Sequence, residues 1–150
     1  MQEVAKYYEV IIFTAALQDY ADSILDELDK GGNISYRLYR QHALAYEENY
    51  IKDLSRIGRS LNRMIIVDNL AENFQFQPEN GIMIKTWVGD PHDTALFELA
   101  PILKGSYFSL LVEIVIKKVD DVRKALERFS EQMMKQNEAG VSKFHLTLEN

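Results

Sequence analysis

The chain contains no cysteine, which excludes disulfides, thiolate-held metals and a cysteine nucleophile. It has no apolar run long enough to span a bilayer and no recognisable signal peptide, so nothing in the sequence directs it to a membrane or out of a cell. An excess of positive charge is missing too. With 17 basic against 23 acidic residues the net charge is −6, which argues against unaided binding to a nucleic-acid backbone or an anionic membrane. Lys52, Arg56, Arg59 and Arg63 still form a local basic patch able to meet an acidic substrate. There is no internal repeat and no low-complexity segment. What remains is 150 residues, 47% apolar and 27% charged, a size and composition suited to one soluble domain with a substantial core.

The most informative stretch runs from Asn49 to Asn69. Met64 to Val67 is an uninterrupted apolar run, which predicts a strand buried on both faces, and Asp68-Asn69 stand where that strand must stop. The C-terminal edge of an open α/β sheet is where ligands bind, and an Asp-Asn pair offers hard oxygen ligands suited to Mg²⁺ there. Lys52 precedes a short helix expected over Ile51 to Leu61, with Leu54, Ile57 and Leu61 inward, and brings a cation to the same edge. Each residue also has a plain structural reading. Asp-Asn is a common turn signal, and a loop lysine is usually just solvated.

The rest of the chain alternates helix and strand patterns. Met1 to Tyr8 reads as the last turns of a helix, Glu9 to Phe13 as a buried strand ending at Thr14, and Gln18 to Lys30 as an amphipathic helix stopped by Gly31-Gly32. In that helix Tyr20, Ile24, Leu25 and Leu28 share the predicted inner face. Ile34 to Tyr39 alternates as a strand does, Gln41 to Asn49 reads as irregular, and Ile82 to Thr86 is a further strand after Pro78 to Gly81. Helices are expected over Thr94 to Lys104 and Asp120 to Met134. This order predicts an α/β fold with a mostly parallel sheet.

The series Asn49, Tyr50, Lys52-Asp53-Leu54-Ser55, Gly58-Arg59 and Asp68-Asn69 closely resembles the small C-terminal-domain phosphatases. These are the NLI-interacting-factor-like branch (the FCP-homology domain) of the haloacid dehalogenase superfamily. The match continues through Phe13-Thr14-Ala15, Tyr20-Ala21-Asp22, Leu38-Tyr39-Arg40, Asn80-Gly81 and Trp87, and covers about residues 1 to 103. The resemblance implies a HAD-like (Rossmannoid), mostly parallel sheet flanked by helices. It also implies a Mg²⁺-dependent phosphatase that works through an aspartyl-phosphate on phosphoserine or phosphothreonine proteins. Carried over residue by residue, Thr14 would hydrogen-bond the phosphate and Lys52 would neutralise it. Asn69 would ligate Mg²⁺, with Asp68 acting behind it or through water. Leu17 and Tyr20 would line an apolar pocket for a proline-containing peptide, although periodicity alone suits Tyr20 equally well to the core. Arg40 would contact substrate. The four positions Thr14, Lys52, Asp68 and Asn69 are expected to converge at one sheet edge.

The sequence departs from the family pattern in several places. The DxDxT or DxDxV motif that supplies the nucleophile and the acid/base occurs nowhere in the 150 residues. Asp19-Tyr20-Ala21-Asp22 and Asp26-Glu27-Leu28-Asp29 have the wrong spacing. The chain opens at what would be the helix after that motif, so the fold is expected to lack the strand between those ending at Thr14 and Asp68. Leu70-Ala71 stand where Ser-Pro is usual, and Gln41 where glutamate is common. Residues 1–104 are therefore read as the C-terminal two-thirds of a phosphatase domain, inactive alone. Residues 105–118 read as an insertion, 119–136 as a helix and 137–150 as a polar tail. Two other readings remain open. One is a binding module on the same domain, like the mitochondrial inner-membrane translocase receptor subunit, and the other is a noncatalytic remnant. The expected setting is intracellular, in nucleus or cytoplasm, with mitochondrion or nuclear envelope as alternatives.

Overall fold

The computed structural model describes residues 2–103 and 120–138. The chain is mixed α/β and divides into two compact units, Met1–Asp53 and Leu54–Asn150. Among the described residues the strands form three two-stranded sheets, each lying within one unit. The expected insertion over 105–118 lies outside the described residues, as does nearly all of the expected tail. Among the described residues no helix is long and apolar enough to cross a membrane.

The first unit opens with turns rather than the expected helix end, and Tyr7 and Tyr8 both donate their N–H to the Val4 carbonyl. Strand β1 (Ile11–Phe13) then runs parallel to β2 (Tyr36–Leu38) with Ile12 opposite Arg37, and helix α1 (Gln18–Leu28) makes the crossover. The helix ends because the Asp29 carboxylate accepts the N–H of Asn33 and of Ile34 and the Asn33 amide. Gly32 takes the left-handed φ of 64° that closes the turn. The inner face of α1 differs from the predicted one. Ala21 and Leu25 are buried with Tyr39 against Ile12, Ala16 and Ile34, whereas Tyr20, Ile24 and Leu28 are exposed. With Tyr39 and the strand pair beneath Ala21 and Leu25, the neighbouring apolar arc is turned outward.

Side-chain bonds tie α1 to β2. The Tyr39 hydroxyl donates to Asp22 at 2.6 Å, and the Arg37 guanidinium bridges Asp22 and Asp26 at 2.9 and 2.7 Å. The Tyr39 hydroxyl first, and Arg37 second, hold the Asp22 carboxyl below its usual range. The bonds from Asn33 and Ile34 lower Asp29 in the same way.

The region predicted as irregular contains a 3-10 turn (Arg40–His42) and an antiparallel hairpin of β3 (Leu44–Tyr46) and β4 (Asn49–Ile51). Glu47 takes a φ of 53° in the tight loop between them. The helix predicted over Ile51 to Leu61 does not form. Ile51 pairs with Leu44 and is fully buried, and the remainder is two 3-10 turns, Leu54–Arg56 and Leu61–Arg63. Gly58, at φ 74°, lies between them in a conformation no helix can continue. The predicted inward residues are nonetheless inward, since Leu54 is buried and Ile57 and Leu61 pack beside it.

In the second unit β5 (Ile66–Asp68) lies parallel to β6 (Gly81–Met83), with α2 (Ala95–Leu103) and α3 (Val122–Glu138) following. The apolar run is packed on both faces as its composition predicts. Met64 and Ile66 meet Leu54 and Phe74 on one side, while Ile65 and Val67 meet Ile82, Leu99 and Leu126 on the other. Asn80, fully buried, donates its amide to the carbonyls of Leu61 and Met64 at 2.6 and 2.8 Å and so fixes the entry to β5. In the first turn of α3, Arg123 grips Asp121, just ahead of the helix, through both carboxylate oxygens and holds its pKa down to about 2.

Gly81 lies against the buried Phe74 ring, where an added Cβ would fall on Cε2. Gly81→Ala is expected to destabilise the protein by about 1–3 kcal/mol through overpacking, and Phe74→Leu in the same chain should recover part of the loss. Urea unfolding of the three proteins tests this; an unchanged midpoint in Gly81→Ala would mean that Phe74 is free to move aside.

Because Asp22 and Asp29 have folded pKa values below their unfolded ones, their stabilisation is complete above the unfolded value of about 3.9 and is lost as pH falls through the lower folded value. Unfolding midpoints should therefore drop as pH is lowered from about 4 through the folded values, and Asp22→Asn should drop less than wild type. Equal acid shifts in both proteins would exclude this role for Asp22.

Candidate functional site

Thr14 directly follows β1 and extends its ladder, donating its N–H to the Leu38 carbonyl at 2.9 Å. Its Oγ1 accepts the Ala16 N–H at 3.1 Å, which fixes the hydroxyl oxygen and leaves the hydroxyl proton able to donate outward. The chain then presents Leu17 and Tyr20, 61% and 66% exposed. The core alternative for Tyr20 is thereby overturned. Arg40 closes on the same loop: its N–H donates to the Ala16 carbonyl at 3.1 Å, its Nε to the Ala15 carbonyl at 2.6 Å, and its guanidinium lies 5.0 Å from the centre of the Tyr50 ring. Gln41, the departure from the family's glutamate, donates to Gln18 at 3.2 Å. Thr14, Leu17, Tyr20 and Arg40 thus share the carboxyl end of the β1–β2 pair. Lys52 belongs to the same unit and follows β4, half-buried, rather than preceding a helix.

In the second unit Asp68 is the last residue of β5, not the turn after it, and is 5% exposed. Its carbonyl accepts the Ile84 N–H, and its Oδ1 accepts the Leu70 N–H at 3.0 Å and the Asn73 amide at 2.8 Å. The turn reading of Asp68 therefore holds alongside any chemical one. Leu70-Ala71, in place of Ser-Pro, lead into a 3-10 turn over Ala71–Phe74 that brings Asn73 back to Asp68. Asn69 donates its amide nitrogen to the Thr86 hydroxyl at 3.1 Å, which leaves Oδ1 without a hydrogen bond among the described residues.

That amide oxygen is a hard donor of the kind Mg²⁺ takes, and it fits one position of a magnesium shell. It does not fill a shell. Magnesium is usually held by one or two carboxylates besides waters, and among the described residues no three His, Cys, Asp or Glu side chains come together.

Three positioning residues escaped the sequence patterns. Asn73 and Thr86 orient Asp68 and Asn69; Asn73 falls on no periodic face or motif, and Thr86, read as the end of a strand over Ile82 to Thr86, lies beyond β6, which stops at Met83. Tyr50 belongs to the resembling series, but its partner Arg40 is brought to it by the turn at Arg40–His42. The basic patch divides between the units, with Lys52 in the first and the exposed Arg56, Arg59 and Arg63 in the second.

Comparison with known proteins gives a consistent result. The chain is 42% identical to a probable C-terminal domain small phosphatase of Dictyostelium discoideum over 127 residues, which is 85% of this chain and 38% of that protein. It is 38% identical to the human CTD small phosphatase-like protein over 128 residues, 85% of this chain and 43% of that one. It is 41% identical to phosphatase Herzog of Drosophila melanogaster over 104 residues, 69% of this chain and 30% of the relative. The chain therefore spans less than half the length of each of these relatives. Residues 1–123 match the NLI interacting factor-like phosphatase family as a whole, and with the strand-end residues and short motifs in the expected order, the chain belongs to that family.

Proposed function

We propose that the chain carries the phosphate-facing and metal-facing portion of a Mg²⁺-dependent protein serine/threonine phosphatase, working through an aspartyl-phosphate on a HAD-like sheet. The observation that carries this reading is that Thr14 and Asn69 each stand immediately beyond the carboxyl end of a parallel strand, the position at which α/β sheets bind ligands. In this reading Thr14 donates its hydroxyl to the phosphate, and Lys52 neutralises the phosphoryl oxygens. Asn69 Oδ1 ligates the metal, with Asp68 shaping the loop behind it. Magnesium, when bound, neutralises charge on the transferring group. Leu17, Tyr20 and Arg40 receive the peptide around the phosphorylated residue, and the exposed apolar pair suits a proline.

The reading also assigns what is absent from the sequence. With no DxDxT or DxDxV motif in the 150 residues, the groups present stabilise charge but do not attack phosphorus. Both β1 and β5 have a single ladder partner among the described residues, which leaves each an edge for a further strand. A nucleophile-bearing strand would use such an edge.

Two outcomes are expected in steady-state assays with p-nitrophenyl phosphate and a phosphoserine peptide. The chain alone should give no turnover with or without Mg²⁺, and Mg²⁺-dependent turnover abolished by Asn69→Ala would demand another nucleophile. Joined to an N-terminal strand carrying DxDxT, it should turn over, and Lys52→Ala should then lower kcat about 10²-fold to 10³-fold with an unchanged circular dichroism spectrum. A joined protein that folds and binds Mg²⁺ but stays inactive, or a silent Lys52→Ala, would shift the assignment to a binding module.

A further inference from the structure

Arg40 is exposed, yet three contacts fix it. Its backbone N–H is bonded to Ala16, its Nε is bonded to Ala15 at 2.6 Å, and its guanidinium carbon lies over the Tyr50 ring, 5.0 Å from the centroid. The Nε bond and the ring contact together restrain the group. Neither terminal nitrogen has a partner among the described residues. A freely moving arginine would have to be ordered when a ligand binds; this one is ordered beforehand.

Tyr50 is suited to supply that order. It lies on β4 opposite Ala45, and the next residue, Ile51, is fully buried. Alternation along the strand therefore turns Tyr50 outward, where it is 38% exposed. All the residues involved, Ala15, Ala16, Arg40, Ala45 and Tyr50, belong to the first unit.

We propose that Tyr50 is a positioning residue that holds Arg40 as a preset two-pronged donor, and that this donor selects peptides carrying an anionic group close to the residue acted on. A planar guanidinium with both terminal nitrogens available matches a carboxylate or a phosphate oxygen pair, and a neutral side chain uses the fork only in part. The anion is an aspartate or glutamate side chain or a second phosphate on the same peptide. Leu17, next along the chain from the two alanines that Arg40 grips, puts an apolar contact beside the donor. The selected segment is thus acidic and partly apolar, although the chain itself carries a net charge of −6. The inference deepens the reading of Leu17, Tyr20 and Arg40 as the peptide-receiving surface and rests on it.

The test uses the full chain and four variants, Tyr50→Phe, Tyr50→Leu, Arg40→Ala and the double variant Tyr50→Leu with Arg40→Ala. Two readouts are taken. In NMR spectra the Arg40 Nε–H should be resolved, slow to exchange and shifted by the Tyr50 ring in wild type and Tyr50→Phe, and should lose both properties in Tyr50→Leu. In fluorescence anisotropy, labelled phosphoserine peptides with Glu, Gln or a second phosphoserine at the flanking position are compared. Wild type should bind the Glu and doubly phosphorylated peptides more tightly than the Gln peptide, and the stronger of the two names the source of the anion. Tyr50→Leu should weaken the acidic peptides about twofold to fivefold, the size of an exposed cation–π contact, while Tyr50→Phe retains them. In the Arg40→Ala background Tyr50→Leu should add nothing. Equal weakening of the Gln and Glu peptides, or a further loss in the Arg40→Ala background, would make Tyr50 a hairpin support only and overturn the proposal. The same peptides with serine in place of the central phosphoserine separate the two readings. An intact Glu preference with no discrimination of phosphoserine from serine would discredit the phosphatase reading and leave this inference standing. Discrimination of phosphoserine without any Glu preference would do the reverse.

Discussion

Parallel strands only three residues long cannot hold each other in place. Each pair here offers a handful of ladder bonds, and a parallel pairing is slightly weaker per residue than an antiparallel one. The register of β1 on β2 and of β5 on β6 therefore depends on the side chains that tie down the crossovers. In the first unit Asp22 takes the hydroxyl of Tyr39 and the guanidinium of Arg37, and the Arg40 side chain reaches back to Ala15 beyond the end of β1. In the second, the amide of Asn80 binds two carbonyls ahead of β5 while Gly81 lets the Phe74 ring close over the start of β6. Of these ties the Arg40–Ala15 bond lies at a strand end that bears a candidate functional residue, Thr14, whereas the Asn80 clamp holds the opposite end of β5 from Asp68 and Asn69. At Arg40, as at Asp68, structural support and candidate chemistry fall on the same residue.

The sharing explains why the polar residues of the site resist a single label. Asp68 is a turn residue by its bonds to Leu70 and Asn73 and, by its place beside Asn69, the neighbour of a candidate metal ligand. A buried carboxylate held by two donors has little freedom left to move toward a metal, which suits it to orienting its neighbour more than to direct ligation. Asn69 is the complementary case, because Thr86 holds its nitrogen and its oxygen is left over.

Much of the fold was legible in the sequence wherever a pattern had a single physical cause. The Met64–Val67 run implied packing on both faces, and the structure divides its residues between two apolar clusters as expected. Gly31-Gly32 implied the end of a helix, which the structure sets just ahead of them, at Leu28. Patterns with two causes were misread. Leu54, Ile57 and Leu61 have helical spacing, but inward placement at that spacing is also achieved by two 3-10 turns, and Gly58 decides between them. Tyr20, Ile24 and Leu28 fall on an apolar arc of α1 beside the one that is buried, and the sequence of a helix does not say what lies beneath it. For the candidate site, the ordered short motifs identified the strand-end residues, while Asn73 and the pairing of Tyr50 with Arg40 depend on loop paths that leave no periodic trace, and Thr86 was read as part of a strand that stops at Met83.

Asn80 has one more consequence, and it concerns chemical ageing. Asn-Gly is the dipeptide in which the backbone nitrogen of the second residue most readily attacks the side-chain amide of the first, because glycine presents no side chain to block the approach. In the folded chain this attack is hindered, since Asn80 is fully buried with its nitrogen held by the carbonyls of Leu61 and Met64, and Gly81 is fixed opposite Ile66. Unfolding removes the protection. Once ammonia is lost and water has opened the resulting cyclic imide, the group that returns to the buried position is a carboxylate, which faces two carbonyl oxygens with like partial charge and has no proton to give them at neutral pH. A molecule that has been open long enough to deamidate at Asn80 thus cannot rebuild the clamp ahead of β5, so an unfolding episode of that length leaves an irreversible mark at the asparagine that holds that strand's entry.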